Sequence, residues 1–241
     1  MIYYIIRRHF AGKGGGAVDG RLGDIERGEV LRYLSYRGAV QADARVSADL
    51  DRCEALLRAC VRPRVVWRLF PLLPDGTLAG TTFRPAGGDV RTLLATCDGV
   101  ILMAATLGAE AEALLRWAQA RSMADAVLLD AIGSAAVENV CDNLCAELAE
   151  TVAPRHLTDR FSPGYGDLPL AQQRELFAVL DVTRRIGVNL TESGLMVPQK
   201  SVTALIGVSD VRQPRRAQNC AACPQAAGCT FRREGKDCGK S

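Results

Sequence analysis

Four cysteines crowd the last 22 residues of this 241-residue chain: Cys220, Cys223, Cys229 and Cys238, spaced C-x2-C-x5-C-x8-C. Four thiolates at these intervals can reach one metal ion or cluster. The set suits zinc or iron–sulfur, and the spacing does not separate the two. The bland alternative is four redox-idle thiols in a polar tail. The other five cysteines, Cys53, Cys60, Cys97, Cys141 and Cys145, fall in apolar, helix-like surroundings. There a free cysteine behaves as a small buried hydrophobe. The opening "MIYYIIRRHF" places its charges after a short apolar run, the reverse of a secretory signal. No stretch approaches the roughly 18 apolar residues of a membrane helix. A cytoplasmic, reducing location is therefore expected, and in it a dense thiol cluster reads as a metal site rather than as disulfides.

A second group of residues suits an amino-acid-bearing ligand. In "RFSPGY", Pro163 restricts Ser162 to extended geometry, and Gly164 lets the chain turn and a ligand approach the backbone. Arg160 offers a fork of donors to a carboxylate. Tyr165 supplies a flat face with a polar tip. Glu138, set among Ala135, Ala136, Val137 and Val140, could pair with an ammonium or sulfonium cation. The plainer alternatives are a surface turn and a solvent-facing glutamate. Asp142 lies one turn on from Glu138, and Cys141 and Cys145 are one turn apart, but without histidine they read as helix packing rather than a metal site. "GKGGG" near the N-terminus lacks the spaced glycine and the Lys-Ser/Thr ending of a phosphate loop.

The elements that must position these groups can be traced along the chain. Hydrophobic residues make up 48% and charged residues 24%, enough apolar material for one large or two small folded domains. A net charge of +3 is too small to argue for nucleic acid, and the late arginines in "VRQPRR" and "FRRE" read as a solvated basic tail. "IYYII" could form an edge strand ahead of a glycine-rich link. "GEVLRYL" and "VSADLDRCEALLRACV" have helical periodicity, the second with Ser47 or Asp49 as N-cap. "RVVWRLF" reads as a strand with "GTTF" as its neighbour, and "GVILMAA" as a buried strand. "DVRTLLATC" and "GAEAEALLRWAQAR" read as helices, as does the alanine-rich run that Ser122 opens and Pro154 ends. Its Ala126, Gly133 and Ala136 suggest close packing. "LAQQRELFAVLD" is a short helix, and two strands are expected around "VPQK". Without a regular βαβ repeat, the class expected is α+β: an antiparallel or mixed sheet flanked by helices, followed by a cysteine-rich C-terminal tail. The expected division is residues 1–20, an extension; 21–210, the folded domain; and 211–241, the metal-binding tail.

The order "SAAVENVCDNLCAELAE", "RFSPGYGDLP", "ELFAVLDVTRRIGVNLTESGLMVPQKSV" resembles the activation domain of vitamin B12-dependent methionine synthase. "R-x-x-P-G-Y" and "L-T-E-S-x-x-M-x-P-x-x-S-V" occur together there, in this order and separation. "GEVLRYLSYRG" and "MAATLGAEAEALL" resemble the short, stand-alone members of that family. The resemblance spans roughly residues 24–209. It implies a domain that binds S-adenosylmethionine (SAM) and presents its methyl to a corrinoid that has slipped to cob(II)alamin. Carried onto this sequence, it implies Arg160 on the SAM carboxylate and Glu138 on the amino group. Ser162, Pro163 and Gly164 would lie along the ligand, and Tyr165 where SAM meets the corrin. Residues 190–198, with Glu192 and Ser193, would shape the cobalamin-facing side.

The chemistry so implied needs no general base, because a sulfonium methyl is already activated and the work is positioning. That suits a chain with two histidines. No cobalamin-binding module is recognisable, so a methionine synthase or other corrinoid protein would bring the cofactor. One electron would come from a donor such as flavodoxin or ferredoxin, or by way of a [4Fe–4S] tail. The family's aromatic, adenine-holding continuation is replaced here by "IGVSDVRQPRR" and the cysteines. Two other readings stand beside reactivation in trans. One is a non-catalytic SAM- or partner-binding module with a zinc-stabilised tail. The other is an iron–sulfur reductive activator of corrinoid methyltransferases that works without SAM.

Overall fold

The computed structural model describes residues 15–34 and 43–213. The "IYYII" segment and the four tail cysteines lie outside the described residues. In chain order the elements are β1 (Ala17–Asp19), α1 (Arg27–Tyr33), α2 (Ala44–Cys60), β2 (Arg64–Pro71), α3 (Gly88–Leu93), β3 (Gly99–Thr106) and α4 (Ala109–Gln119). There follow α5 (Met123–Val152), β4 (His156–Leu157), α6 (Gln172–Leu180), α7 (Val182–Ile186), β5 (Asn189–Leu190), β6 (Met196–Val197) and β7 (Ser201–Ser209).

The fold is α+β. Five strands form an antiparallel sheet in the order β1-β2-β3-β7-β4. All eight residues of β3 are buried, because helices cover both faces of the sheet. Ile101, Met103 and Ala105 pack into one cluster with α1, α2, α4 and α5. Val100, Leu102 and Ala104 pack into the other with α3, α6 and α7. Double coverage is what turns an alternating antiparallel strand into a continuous apolar run.

Helix α5 is the spine of the first layer. Ser122 caps it by accepting from Asp125 N at 3.2 Å. Its small residues do permit close approach. A Cβ on Gly133 would stand 3.2 Å from Cε of Lys200, whose ammonium pairs with Asp130 at 2.7 Å and Ser134 at 2.9 Å.

Several local expectations change. "GTTF" is a turn, and the neighbour of β2 on that side is β1, inside the segment read as a glycine-rich link. The cap of α2 is Asp43, which accepts from Val46 N at 2.8 Å, so the helix begins ahead of Ser47 and Asp49. The strands flanking "VPQK" do not pair with each other. β6 folds back on β5 as a separate ribbon, while β7 enters the main sheet.

Candidate functional site

The edge of β7 sets the path of the "RFSPGY" segment. His156 and Leu157 pair with Ser209 and Val208. Thr158 exchanges bonds with Gly207 (Thr158 N to Gly207 O, 3.0 Å; Gly207 N to Thr158 Oγ1, 2.8 Å). Phe161 and Leu205 exchange both backbone bonds at 2.9 Å. Phe161 therefore enters the second apolar cluster, while Arg160, one residue before it, turns to α5. There Nη2 donates to Glu138 Oε2 at 2.7 Å and Nη1 to Asp142 Oδ1 at 2.8 Å, with Cys145 Sγ at 3.8 Å. Residues 138, 142 and 145 share one helical face, so a single guanidinium meets all three.

This is a half-open ionic site. The Arg160 side chain is 22% exposed, Glu138 43% and Asp142 69%. Burial works against the charge of Arg160, but the Asp142 and Glu138 carboxylates bonded to it offset this, so the guanidinium stays charged. Burial holds the Cys141 and Cys145 thiols above their usual range, against the pull of Arg160. Among the described residues, no group of three or more His, Cys, Asp or Glu side chains is arranged to hold a metal ion. The Cys141–Asp142–Cys145 face instead receives Arg160.

Beside Glu138, an amide ladder that the sequence reading did not single out docks the N-terminal segment. Asn139 accepts from Gly23 N at 2.7 Å and donates to Asp24 O at 2.8 Å. Asn143 donates to Arg21 O at 3.1 Å. The signal was present as an i, i+4 amide pair inside an alanine-rich helix. Tyr33 of α1 is 40% exposed. Burial raises its phenol pKa, and the charge of Glu138 adds to the effect.

The remaining expected site residues come together in a second place. Tyr165 N donates to Ser162 O at 3.0 Å and Gly164 N to Leu168 O at 2.9 Å, closing a tight loop with Pro163 buried and Gly164 at φ 88°. Tyr165 is 72% exposed, edge-on to Phe161 with ring centroids 6.3 Å apart. Glu192 and Ser193 are exposed on a turn closed by Thr191 N to Leu195 O at 2.9 Å and Gly194 N to Thr191 O at 3.0 Å. Leu170 packs between loop and turn. Its side chain lies 3.4 Å from where a Cβ on Gly164 would stand and 3.8 Å from one on Gly194. Exposed Tyr165, Leu170, Leu195 and Val197 give this region an apolar outer surface.

The family model described as "Vitamin B12 dependent methionine synthase, activation domain" matches residues 142–213, which include Arg160, Tyr165 and the Glu192–Ser193 turn. No curated protein matches the chain. Among solved structures, a crystal structure of the MetH reactivation domain bound to AdoHcy superposes with a TM-score of 0.60. It is 17% identical, covering 93% of this chain and 87% of that one. The chain thus has the fold of a methionine synthase reactivation domain and carries, over residues 142–213, the match to the vitamin B12-dependent activation domain family.

Proposed function

We propose that this protein reactivates, in trans, a cobalamin-dependent methionine synthase or related corrinoid protein by reductive methylation of cob(II)alamin with SAM. The observation that carries the reading is the Arg160–Glu138 pair at 2.7 Å, positioned by the segment that continues into Tyr165. A guanidinium and a carboxylate side by side are complementary to the carboxylate and ammonium of an amino acid. The neighbour of the same fold is bound to AdoHcy, the product such a methyl donor leaves behind.

In the reaction, cob(II)alamin accepts one electron from an external donor such as flavodoxin or ferredoxin. The reduced cobalt attacks the sulfonium methyl, the S–CH3 bond breaks, and methylcobalamin and S-adenosylhomocysteine result. No proton moves, so the protein's task is alignment and exclusion of water. Arg160 and Glu138 fix the amino-acid end, and the Ser162–Gly164 backbone lies along the ligand. Tyr165, Leu195 and Val197 give the corrin-facing side an exposed apolar rim, and Glu192 and Ser193 add polar groups on the adjoining turn. Cys220, Cys223, Cys229 and Cys238 would hold zinc or a [4Fe–4S] cluster. The cluster would supply one-electron chemistry, and zinc a structural cross-link.

The test is anaerobic single turnover. The full chain is mixed with a cob(II)alamin-loaded methionine synthase, reduced flavodoxin and SAM, and methylcobalamin is followed by absorbance. SAM-dependent formation is expected, with Arg160→Ala and Glu138→Ala each raising the SAM concentration it needs. Absence of SAM binding at millimolar ligand would overturn the reading and favour a binding module. Turnover without SAM would favour the purely reductive activator. A brown protein that bleaches on reduction identifies the cluster; a colourless one with stoichiometric zinc removes the electron role from the tail.

A further inference from the structure

The start of α6 and the residues just before it hold both motif loops at once. Leu170 fills the space between Gly164 and Gly194. Gln173, 4% exposed, donates from Nε2 to Gly194 O at 2.7 Å and accepts at Oε1 from Thr203 Oγ1 of β7 at 3.3 Å. Arg174 donates to Thr191 O at 3.1 Å and to Glu192 O. Gln172 clamps a third loop, donating to Arg84 O at 2.8 Å and accepting from Ala86 N at 2.7 Å. A buried amide satisfied at both ends has one orientation. Turned over, its oxygen would face the Gly194 carbonyl with no proton between them.

We infer that Gln173, with Leu170 and Arg174, is a positioning residue that sets the gap between the Tyr165 loop and the Glu192–Ser193 turn. The inference rests on the function proposed above, in which these two surfaces flank the methyl donor and the corrin. The sheet is the fixed reference. Thr203 belongs to β7, the strand that also carries Leu205 against Phe161, so loop and turn are both referred to the same strand. Gln173 holds the turn from below, and Leu170 transmits its place to the loop by direct packing. Such control has a kinetic consequence, because a misplacement of about 1 Å between reacting partners costs about 10²-fold in rate.

The test uses Gln173→Leu and Gln173→Glu in the full chain, with three measurements: amide hydrogen exchange, SAM binding by calorimetry, and the rate of methyl transfer to the corrinoid partner. Leucine removes both hydrogen bonds. Glutamate keeps the shape, but its carboxylate faces the Gly194 carbonyl until it is protonated. Both variants should exchange faster at 162–168 and at 191–195 while β3 and β7 stay protected. SAM affinity should fall less than methyl transfer, which should slow by about tenfold or more. Gln173→Glu should recover rate as pH falls, and Gln173→Leu should not. Faster exchange at 191–195 alone, or full transfer rate with a loosened turn, overturns the inference. If the wild-type protein transfers no methyl, the functional reading fails. The exchange pattern still decides whether Gln173 couples the two loops, and coupling at both segments upholds it. Should Gln173→Leu not fold, Gln173→Glu at acid pH and Arg174→Ala carry the same comparison.

Discussion

Arg160, on the edge of the sheet, and Glu138, on the spine helix, are each other's partner at 2.7 Å, with Asp142 completing the grip at 2.8 Å. A zwitterionic ligand would exchange this pair for two, the guanidinium turning to its carboxylate and Glu138 to its ammonium. Asp142 can remain on Arg160 throughout, so the guanidinium is never left without a counter-charge.

Arg160→Ala should therefore weaken SAM binding more than it weakens the fold. Losing charge-assisted hydrogen bonds to the ligand costs about 2 kcal/mol, or about 30-fold in affinity. Glu138 and Asp142 are exposed enough to be solvated once unpaired, which limits the stability loss to about 1 kcal/mol. Calorimetry and urea unfolding on the same variant check both values. Equal affinity for SAM in variant and wild type would remove Arg160 from the site.

Gly207 lets the β4 edge close on the sheet. A Cβ there would stand 2.5 Å from Cys97 Sγ and 2.9 Å from both Leu94 Cδ2 and Thr158 Cγ2. All three neighbours are packed, and Thr158 is bonded to Gly207 itself. Gly207→Ala should cost about 1–3 kcal/mol by overpacking. Because Thr158 leads into Arg160, it should also weaken SAM binding. Chemical denaturation measures the first effect and titration the second; an unchanged midpoint would show that the edge gives way freely.

Gly164 turns the "RFSPGY" loop at φ 88°, a region that side-chain-bearing residues adopt only under strain. Gly164→Ala should cost about 1–2 kcal/mol. It should also shift the exposed Tyr165, whose backbone N–H closes the loop on Ser162. Fluorescence of a ligand bound beside Tyr165, together with a melting curve, separates the local from the global effect. A full-affinity, full-stability alanine variant would show that the loop tolerates another path.

The parts legible in the sequence were those with long periodicity or a specific motif. α5 and β3 announced themselves by a proline-free, alanine-rich run and a continuous apolar one. Arg160 and Glu138 stood out individually, by residue type and by the resemblance. Their mutual pairing did not, because it depends on Phe161 entering the opposite cluster, which only the bridge to Leu205 decides. β4, β5 and β6 are two residues each, below any detectable period. Gln173 was invisible because a glutamine in a short amphipathic helix reads as surface until its two partners are known.

Cys97 gives an alkaline limit to stability. Burial, with the nearby charge of Asp98 adding and Arg155 opposing, pushes its thiol up to about 11 from an ordinary 9.0. The folded state therefore holds the proton more tightly than the unfolded chain does. Its contribution is fully present below about pH 9 and is lost as pH rises towards 11, because the unfolded thiol ionises first. Discounted for partial exposure, the loss is about 1–2 kcal/mol. The raised thiols of Cys141 and Cys145 act in the same direction. Unfolding midpoints measured from pH 7 to 10.5 should fall through this window, and less steeply in Cys97→Ala, whose own packing loss is independent of pH. Iodoacetamide should label Cys97 slowly at pH 8 and faster as pH rises. Rapid labelling at pH 8 in the folded protein would show that the thiol is not held as described.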